Sequence, residues 1–506
     1  MTRTPQKRPH DNTSLSSRRP FPYIPEPDYP GSAETMNRHV IFFLLFALLF
    51  PCNNMLAEDI FLPKQSELNR DFDERDEKMF LHPDKVYYPE IWVDCLGGNL
   101  SKKGILADLE AIAGGGFSGV QFFFGNRGGL WPGVDNPILC LTPEWDDFVR
   151  YAAQEAQRLG LRFTLQNCPG WAMAGGPWIE PDNSMRHLVW TETQINGGRK
   201  TEILLPCHPH RETEWRDYKD LMVLAFPTPL GSTRHLLPQH TESDMPQLPW
   251  HECLMSGWHP FHIPATQADK PHWVEITMPK AETVRTIEFS SVQGFSHWFC
   301  YEPGVNVKME AIYEGGDTLT ILHTDMPASN WQDNMPISLS CTEAAPTRTY
   351  RLSITNRNNM AISSLRLLSA ARKNNWESEA AWTLRNIMYN NEEPGHPKEA
   401  YVDRNRVTDL SKLTDEEGWL RWDAPEGEWT VLRIGHVNSG MKNAPAPPEA
   451  TGWECNKFDT EGAEKHFDGY IGRLKRGPLA GLLDGMLLDS WECETQTWTK
   501  DMETEF

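Results

Sequence analysis

The sequence predicts an α/β chain: a (β/α)8-type barrel, incomplete at its C-terminus and interrupted by an inserted β-sandwich. Three observations carry that expectation. Before residue 197, short apolar runs alternate with stretches of helical period, the pattern of parallel strands joined by helices. From 197 to 372 the period changes to two, with turn signals such as Glu314-Gly315-Gly316-Asp317 between runs, which reads as short antiparallel strands. Helix and strand alternation then resumes over 373–506 and ends in GMLLDSWECETQTW, Gly485 to Trp498, an apolar run that stops abruptly in acids.

Composition narrows the function classes. At 506 residues the chain has room for roughly three domains. A formal net charge of −22 excludes a nucleic-acid partner, since a phosphate backbone demands a basic face. Twenty tryptophans suit a protein that stacks sugars or fills large β cores. The ten cysteines stand singly with no CxxC pair, which excludes zinc ribbons and thioredoxin-type sites.

Residues 1–35 are rich in Pro and Arg, lack a packing pattern and read as an upstream extension. Residues 36–57 form an export signal: a basic start at Met36 to His39, then an apolar run from Val40 to Phe50, too short to span a membrane. A mature start near Glu58 is expected, leaving no stable membrane span after the signal is removed and a periplasmic or extracellular location. Lipid attachment through Cys52 is the rival, disfavoured because Phe50-Pro51 precedes it.

The first barrel part covers 58–196. Strands are expected at 91–96, 119–124 and 161–166. Between the first two, Ile105, Leu109, Ile112 and Ala113 fall at helical spacing, and glycines 114–116 end the helix. Thr142-Pro143 starts the next helix, Thr as cap and Pro at the first position. The third strand empties into QNCPGWAMAGGPWIEP, where Asn167, Trp171 and Trp178 stand among glycines that would let backbone approach a ligand; a rigid Gly/Pro turn with its tryptophans packed under it fits the same residues. In the insertion, Trp258, Trp273, Trp298 and Trp331 are candidate sugar contacts. After it, a strand over 429–437 leads into a Pro-rich loop with Glu449, Trp453, Glu454, Asn456 and Asp459. Met486 to Asp489 reads as a last strand buried on both faces, with Asp489 and Glu492 at its C-terminal end, where the loops of a parallel barrel hold catalytic groups. The same acids would equally cap and decorate a helix.

These segments resemble the calcium-dependent α-L-rhamnosidases of glycoside hydrolase family 106. The resemblance runs through WVDCLGGNLSKKGILADLEAIAGGGFSGVQ and LTPEWDDFVRYAAQEAQRLGLRFTLQNCPGWAMAGGPW, then PEGEWTVLRIGHVNSGMKNAPAPPEATGWECNKFD and LLDSWECETQTWT, in order and with a β insertion in the middle. It implies a glycan substrate, terminal α-L-rhamnose on pectic or other complex chains, and an inverting mechanism with Glu492 as general acid. Asn167, Trp171, Trp178, Glu449 and Asp489 would contact the sugar. It also implies a calcium ion, with ligands unassigned. Asn456-Lys457 departs from the family's Asp-Lys. The family's partner carboxylate lies on a later strand, so the base is expected beyond Phe506 and the chain is expected to be a fragment. An exported, non-catalytic glycan-binding or assembly protein is the alternative.

Overall fold

The computed structural model describes residues 71–505, apart from 127–132, 208–216, 233–234, 257–258, 267–269, 291–292, 295–304, 330–332, 334 and 387–392. The expected leader, Cys52, and the candidate contacts Trp258, Trp298 and Trp331 lie outside the described residues. The chain divides into two units, Met1–Phe80 and Leu81–Phe506. The described part of the first holds a short, exposed helix, Glu74–Leu81, which continues one residue past the division.

In the second unit a parallel sheet carries the site. Strands β1 (Glu90–Leu96), β2 (Gly119–Gly125), β3 (Arg162–Gln166) and β4 (Gly485–Leu487) lie side by side in that order. Their partners run from Glu90↔Gly119 to Leu96↔Gly125, from Gly119↔Arg162 to Phe122↔Leu165, and from Gly485↔Thr164 to Leu487↔Gln166. Helix α1 (Lys102–Gly114) is capped by Ser101, whose hydroxyl accepts from Gly104 N–H at 3.0 Å. Helix α2 (Pro143–Arg158) starts as its sequence predicts: the Thr142 hydroxyl accepts from Trp145 N–H at 3.3 Å, with Pro143 in the first turn. Alternate strand residues Val120, Phe122, Phe124, Phe163 and Leu165 pack with Leu109, Trp145, Phe148 and Tyr470 in one buried core. Each large side chain buried there contributes roughly 1.5–3 kcal/mol. Arg473 clamps the following helical stretch onto α2 through both oxygens of Asp146, at 2.8 and 2.9 Å.

Among the described residues the sheet is open, with β1 and β4 as its edges. There β4 pairs with β3 alone, and the apolar run at and just after it is not enclosed: Met486 is 43% and Leu488 58% exposed. The expectation of a strand buried on both faces is corrected accordingly. An apolar run signals burial only when neighbours cover it, and here one side has none among the described residues.

The strand expected over 429–437 forms, as Glu428–Asn438, but it is not in the parallel sheet. It runs antiparallel to Arg186–Asn196 along its whole length and to Lys219–Pro227 on its other side. Arg199–Leu204 pairs with Trp419–Ala424. These strands share a core of Ile195, Val223, Ala225, Leu420, Trp422, Trp429 and Val431. Two strands inside the expected insertion, Arg199–Leu204 and Lys219–Pro227, therefore pair with chain that returns some two hundred residues later. Inside that bracket, antiparallel strands between His240 and Leu368 enclose a second core that includes Ile276, Ile287, Val307, Met309, Tyr350 and Leu352.

Candidate functional site

The parallel register brings the sequence's candidates to one end. Gln166 pairs with Leu487, and Asn167 N–H continues the ladder to the Leu487 carbonyl at 2.9 Å, so the chain leaves β3 and β4 on the same side of the sheet. Three loops meet there: 167–185, 439–459 and 488–499. Gly170 N–H donates to the Phe124 carbonyl at 2.7 Å, and Asn126 N–H to Pro445 at 2.9 Å. Isolated bridges join Gly176 to Trp453, Ser184 to Cys455 and Arg186 to Trp498.

The glycines of the first loop serve a different purpose from the one its sequence suggests. At Gly170 (φ +92°) a Cβ would stand 2.9 Å from Ala446 N, and at Gly175 (φ +123°) one would stand 2.7 Å from the Trp453 carbonyl. They admit the neighbouring loop's backbone, not a ligand. Asn443, fully buried, closes that neighbouring loop: its Oδ1 accepts from Gly452 N–H at 2.8 Å and its Nδ2 donates to the Ala450 carbonyl at 3.0 Å. It is as responsible for the loop's shape as the prolines, and no local motif marks it.

Asn167 is buried and donates to the Met173 carbonyl at 2.6 Å, leaving its Oδ1 without a partner. Its amide lies 3.3 Å from His466 Nε2. His466 Nδ1 accepts from Gly175 N–H at 3.1 Å, which puts the ring's single proton on Nε2. Burial holds this imidazole neutral, at about 4. Trp178, expected to face the sugar, packs against Tyr470 (6.1 Å, stacked) and His466 (6.2 Å) with its indole N–H buried. That is a wedge between loop and core, because the Gly175-Gly176 turn folds the ring inward. Trp171 is half-buried. Glu449 is exposed and borders a small cleft at the ends of β1 and β2, beside Cys95, Gly98, Phe124 and Asn126. That cleft, about 20 Å³, admits one water and no sugar ring.

The acids after β4 stand in the open. Ser490 Oγ lies 3.0 Å from Glu492 Oε1 and 3.3 Å from Asp489 Oδ1, while Ser490 N–H donates to Asp489 Oδ1 at 2.8 Å. The hydroxyl carries one proton, so it can donate to only one of the two carboxylates at a time. Glu492 is exposed and Asp489 half-buried. The neighbouring 439–459 loop holds a third carboxylate that the sequence marks only as one of several polar residues there. Glu454, 1% exposed, binds Lys457 Nζ at 2.7 Å through Oε2, and its Oε1 has no partner. Burial raises the Glu454 carboxyl, with Lys457 and Cys493 opposing. Lys457 Nζ also reaches Cys493 Sγ at 3.5 Å and stands over the Trp491 ring at 4.6 Å. Asn456, the departure noted above, is occupied structurally: it donates to Thr499 Oγ1 at 3.1 Å and accepts from Gln496 and from Phe458 N–H.

The implied calcium finds no cage in this set. Nowhere among the described residues do three or more His, Cys, Asp or Glu side chains converge to hold a metal, whereas calcium takes about six to eight oxygen ligands. Asp489, Ser490 and Glu492 supply too few.

The profile of glycoside hydrolase family 106, described as alpha-L-rhamnosidase, matches residues 82–506. A rhamnosidase from Novosphingobium sp. PP1Y superposes with a TM-score of 0.64 at 28% identity, over 84% of this chain and 40% of that one. A Formosa agariphila protein, whose name gives it provisionally as a beta-glucuronidase, is 24% identical over 433 residues, 85% of this chain and 25% of its own length. The chain thus spans less than half the length of either relative.

Proposed function

We propose, from the premise that this chain belongs to glycoside hydrolase family 106, that it carries part of the active site of an exported, inverting α-L-rhamnosidase acting on terminal rhamnose of pectic-type glycans. The observation that carries the reading is the convergence of Asp489, Ser490 and Glu492 with the Asn167 loop at one end of the parallel strands. Glu492 is the general acid. It is exposed to an incoming glycoside and lies one hydroxyl from a second carboxylate, Asp489. In the reaction Glu492 gives a proton to the glycosidic oxygen as the bond to the anomeric carbon breaks. Inversion needs a second carboxylate about 6.5–9.5 Å away to take a proton from the attacking water. The resemblance places that base on a strand later than β4, and no residue here is assigned to it. Asn167 and its neighbours shape the floor, Trp171 and Glu449 border the sugar, and Trp178 acts from behind by packing. In this reading the strands β1 to β4 are the first part of a barrel, and calcium draws ligands from outside the described residues. Export rests on the apolar run from Val40 to Phe50, and a mature start near Glu58 is tested by N-terminal sequencing of exported material; a lipid-modified Cys52 at the terminus removes the soluble form.

The test of the function is hydrolysis of α-L-rhamnosides by protein that includes the later strand. Glu492→Gln should lose on the order of 10²–10⁴ in turnover on poor leaving groups and far less on activated aryl rhamnosides. Undiminished turnover of Glu492→Gln on a poor leaving group removes the acid assignment. Preference for a β-glucuronide over the rhamnoside replaces the substrate, following the name of the Formosa relative. Sugar binding with no turnover at all leaves the glycan-binding alternative.

A further inference from the structure

Against Trp491, the residue that precedes Glu492, the protein exposes an aromatic side chain that the core leaves unused. Phe458 is 55% exposed. It precedes Asp459, which caps helix α3 (Thr460–Phe467) by accepting from Glu461 N–H at 3.2 Å. An apolar residue in that position ordinarily folds back onto the fourth residue of the helix. Here that residue is Ala463, which offers a single methyl. Phe458 leans instead toward Trp491, with ring centroids 6.5 Å apart and planes tilted by 42°. Its backbone is fixed outward, since Phe458 N–H donates to Asn456 Oδ1 at 3.1 Å.

Trp491 is held from several directions. Its indole N–H donates to the Glu494 carbonyl at 2.9 Å, and the Lys457 ammonium stands over its ring at 4.6 Å. That ammonium is almost buried and anchored by Glu454 at 2.7 Å. Lys457 N–H is bound in turn by Gln496 Oε1 at 3.1 Å, so the two loops are locked together. Ordering two large aromatic rings at the surface, one of them through a buried ion pair, is costly in entropy and desolvation and contributes little to the core. The sequence neighbours of Trp491 are Ser490 and Glu492, a hydroxyl and a carboxylate. An exposed Phe458 against a half-buried Trp491, with the Ser490 and Glu492 oxygens on the adjoining residues, matches the two faces of a pyranose: C–H bonds pack on the rings and hydroxyls meet the acids. A sugar with a methyl in place of its hydroxymethyl group presents still more apolar surface.

We propose that Phe458 and Trp491 form a saccharide-stacking subsite flanking Glu492, with Lys457 and Glu454 as the positioning pair that holds the indole. The proposal rests on the glycosidase reading for its choice of ligand. It does not rest on turnover, so it is tested by binding in the full 506-residue chain. Methyl α-L-rhamnoside, methyl β-D-glucuronide and methyl β-D-galactoside are titrated separately. Saturation-transfer NMR and tryptophan fluorescence are followed, with thermal melting as the control for folding. The parent is expected to bind the rhamnoside with Kd of order millimolar. Phe458→Ala should weaken it about tenfold with melting unchanged, and Lys457→Arg, which keeps the charge over the ring, should bind more tightly than Lys457→Met. If the parent binds the glucuronide or galactoside instead, and Phe458→Ala weakens that, the subsite stands and the rhamnoside reading falls. If Phe458→Ala binds like the parent, or the parent binds none of the three, the subsite is overturned.

Discussion

Two pairs of residues, each three apart, sit within one short stretch of folded surface and have opposite fates. Glu454 and Lys457 are buried, bound to each other at 2.7 Å, and hold two loops in register. Asp489 and Glu492 are like-charged, solvent-facing and joined only through the Ser490 hydroxyl. Spacing is the same in both, and the sequence does not say which pair is taken out of water. What separates them is dielectric environment: a charge taken out of water must be paired and serves the fold, while an exposed carboxylate is free to exchange a proton with a substrate.

Breaking the buried pair should have the largest effect. Lys457→Met leaves the Glu454 carboxylate desolvated with no counter-charge, and the expected loss is about 3–5 kcal/mol in urea unfolding at neutral pH. The loss should shrink as pH falls, because Glu454 then escapes by taking up a proton. A loss below about 1 kcal/mol at neutral pH would show that the pair is wetter than its burial indicates.

Acid sharpens the same contrast. His466 titrates near 6.5 when unfolded and is held by burial at about 4 in the fold. His436 is depressed to about 4 by burial and by the neighbouring Arg186 and Lys219 cations. Between those values the unfolded chain binds more protons, so stability present above about 6.5 is lost as pH drops toward 4. For His466 alone the full loss is roughly 3 kcal/mol. His466→Gln should flatten part of that slope in melts recorded from pH 7 to 4, and an unchanged slope would place the titrating group elsewhere.

Asn443→Ala comes next. It orphans Gly452 N–H and the Ala450 carbonyl in a buried loop, and about 1–3 kcal/mol should disappear from unfolding measurements. If the change is neutral, the prolines alone shape that loop.

Local signals in the sequence carried the parallel half well. The Thr142-Pro143 cap, the glycines ending α1 and the apolar runs of β1 to β3 all report interactions within a few residues, and all form where expected. Glu428–Asn438 shows where locality fails: its alternation marks a strand, but nothing nearby says that Arg186–Asn196 is its antiparallel partner. The site divides in the same way. Asp489 and Glu492 were legible as polar residues at a strand end. Glu454, Asn443 and His466 were not selected, because each matters through a partner from a distant segment. Trp178 left two readings open for a related reason, since a Trp among glycines does not declare whether the turn folds it in or out; here it stacks on Tyr470.

The smallest expected effect tests the exposed pair itself. Asp489 accepts from Ser490 N–H at 2.8 Å and shares the Ser490 hydroxyl with Glu492, but it is not paired with a cation. Asp489→Asn keeps the shape and the backbone contact through Oδ1, and it removes one of two like charges near a strand end. Repulsion lost and a charge-assisted contact weakened roughly cancel, so the melting free energy should change by no more than about 0.5 kcal/mol in either direction. What should move is turnover: Asp489→Asn changes the carboxylate that shares the Ser490 hydroxyl with Glu492, so in protein that hydrolyses rhamnosides the rate on poor leaving groups should fall. A stability loss as large as that of Lys457→Met would erase the distinction between the two pairs. Unchanged turnover would mean that Asp489 and Glu492 do not act together through Ser490.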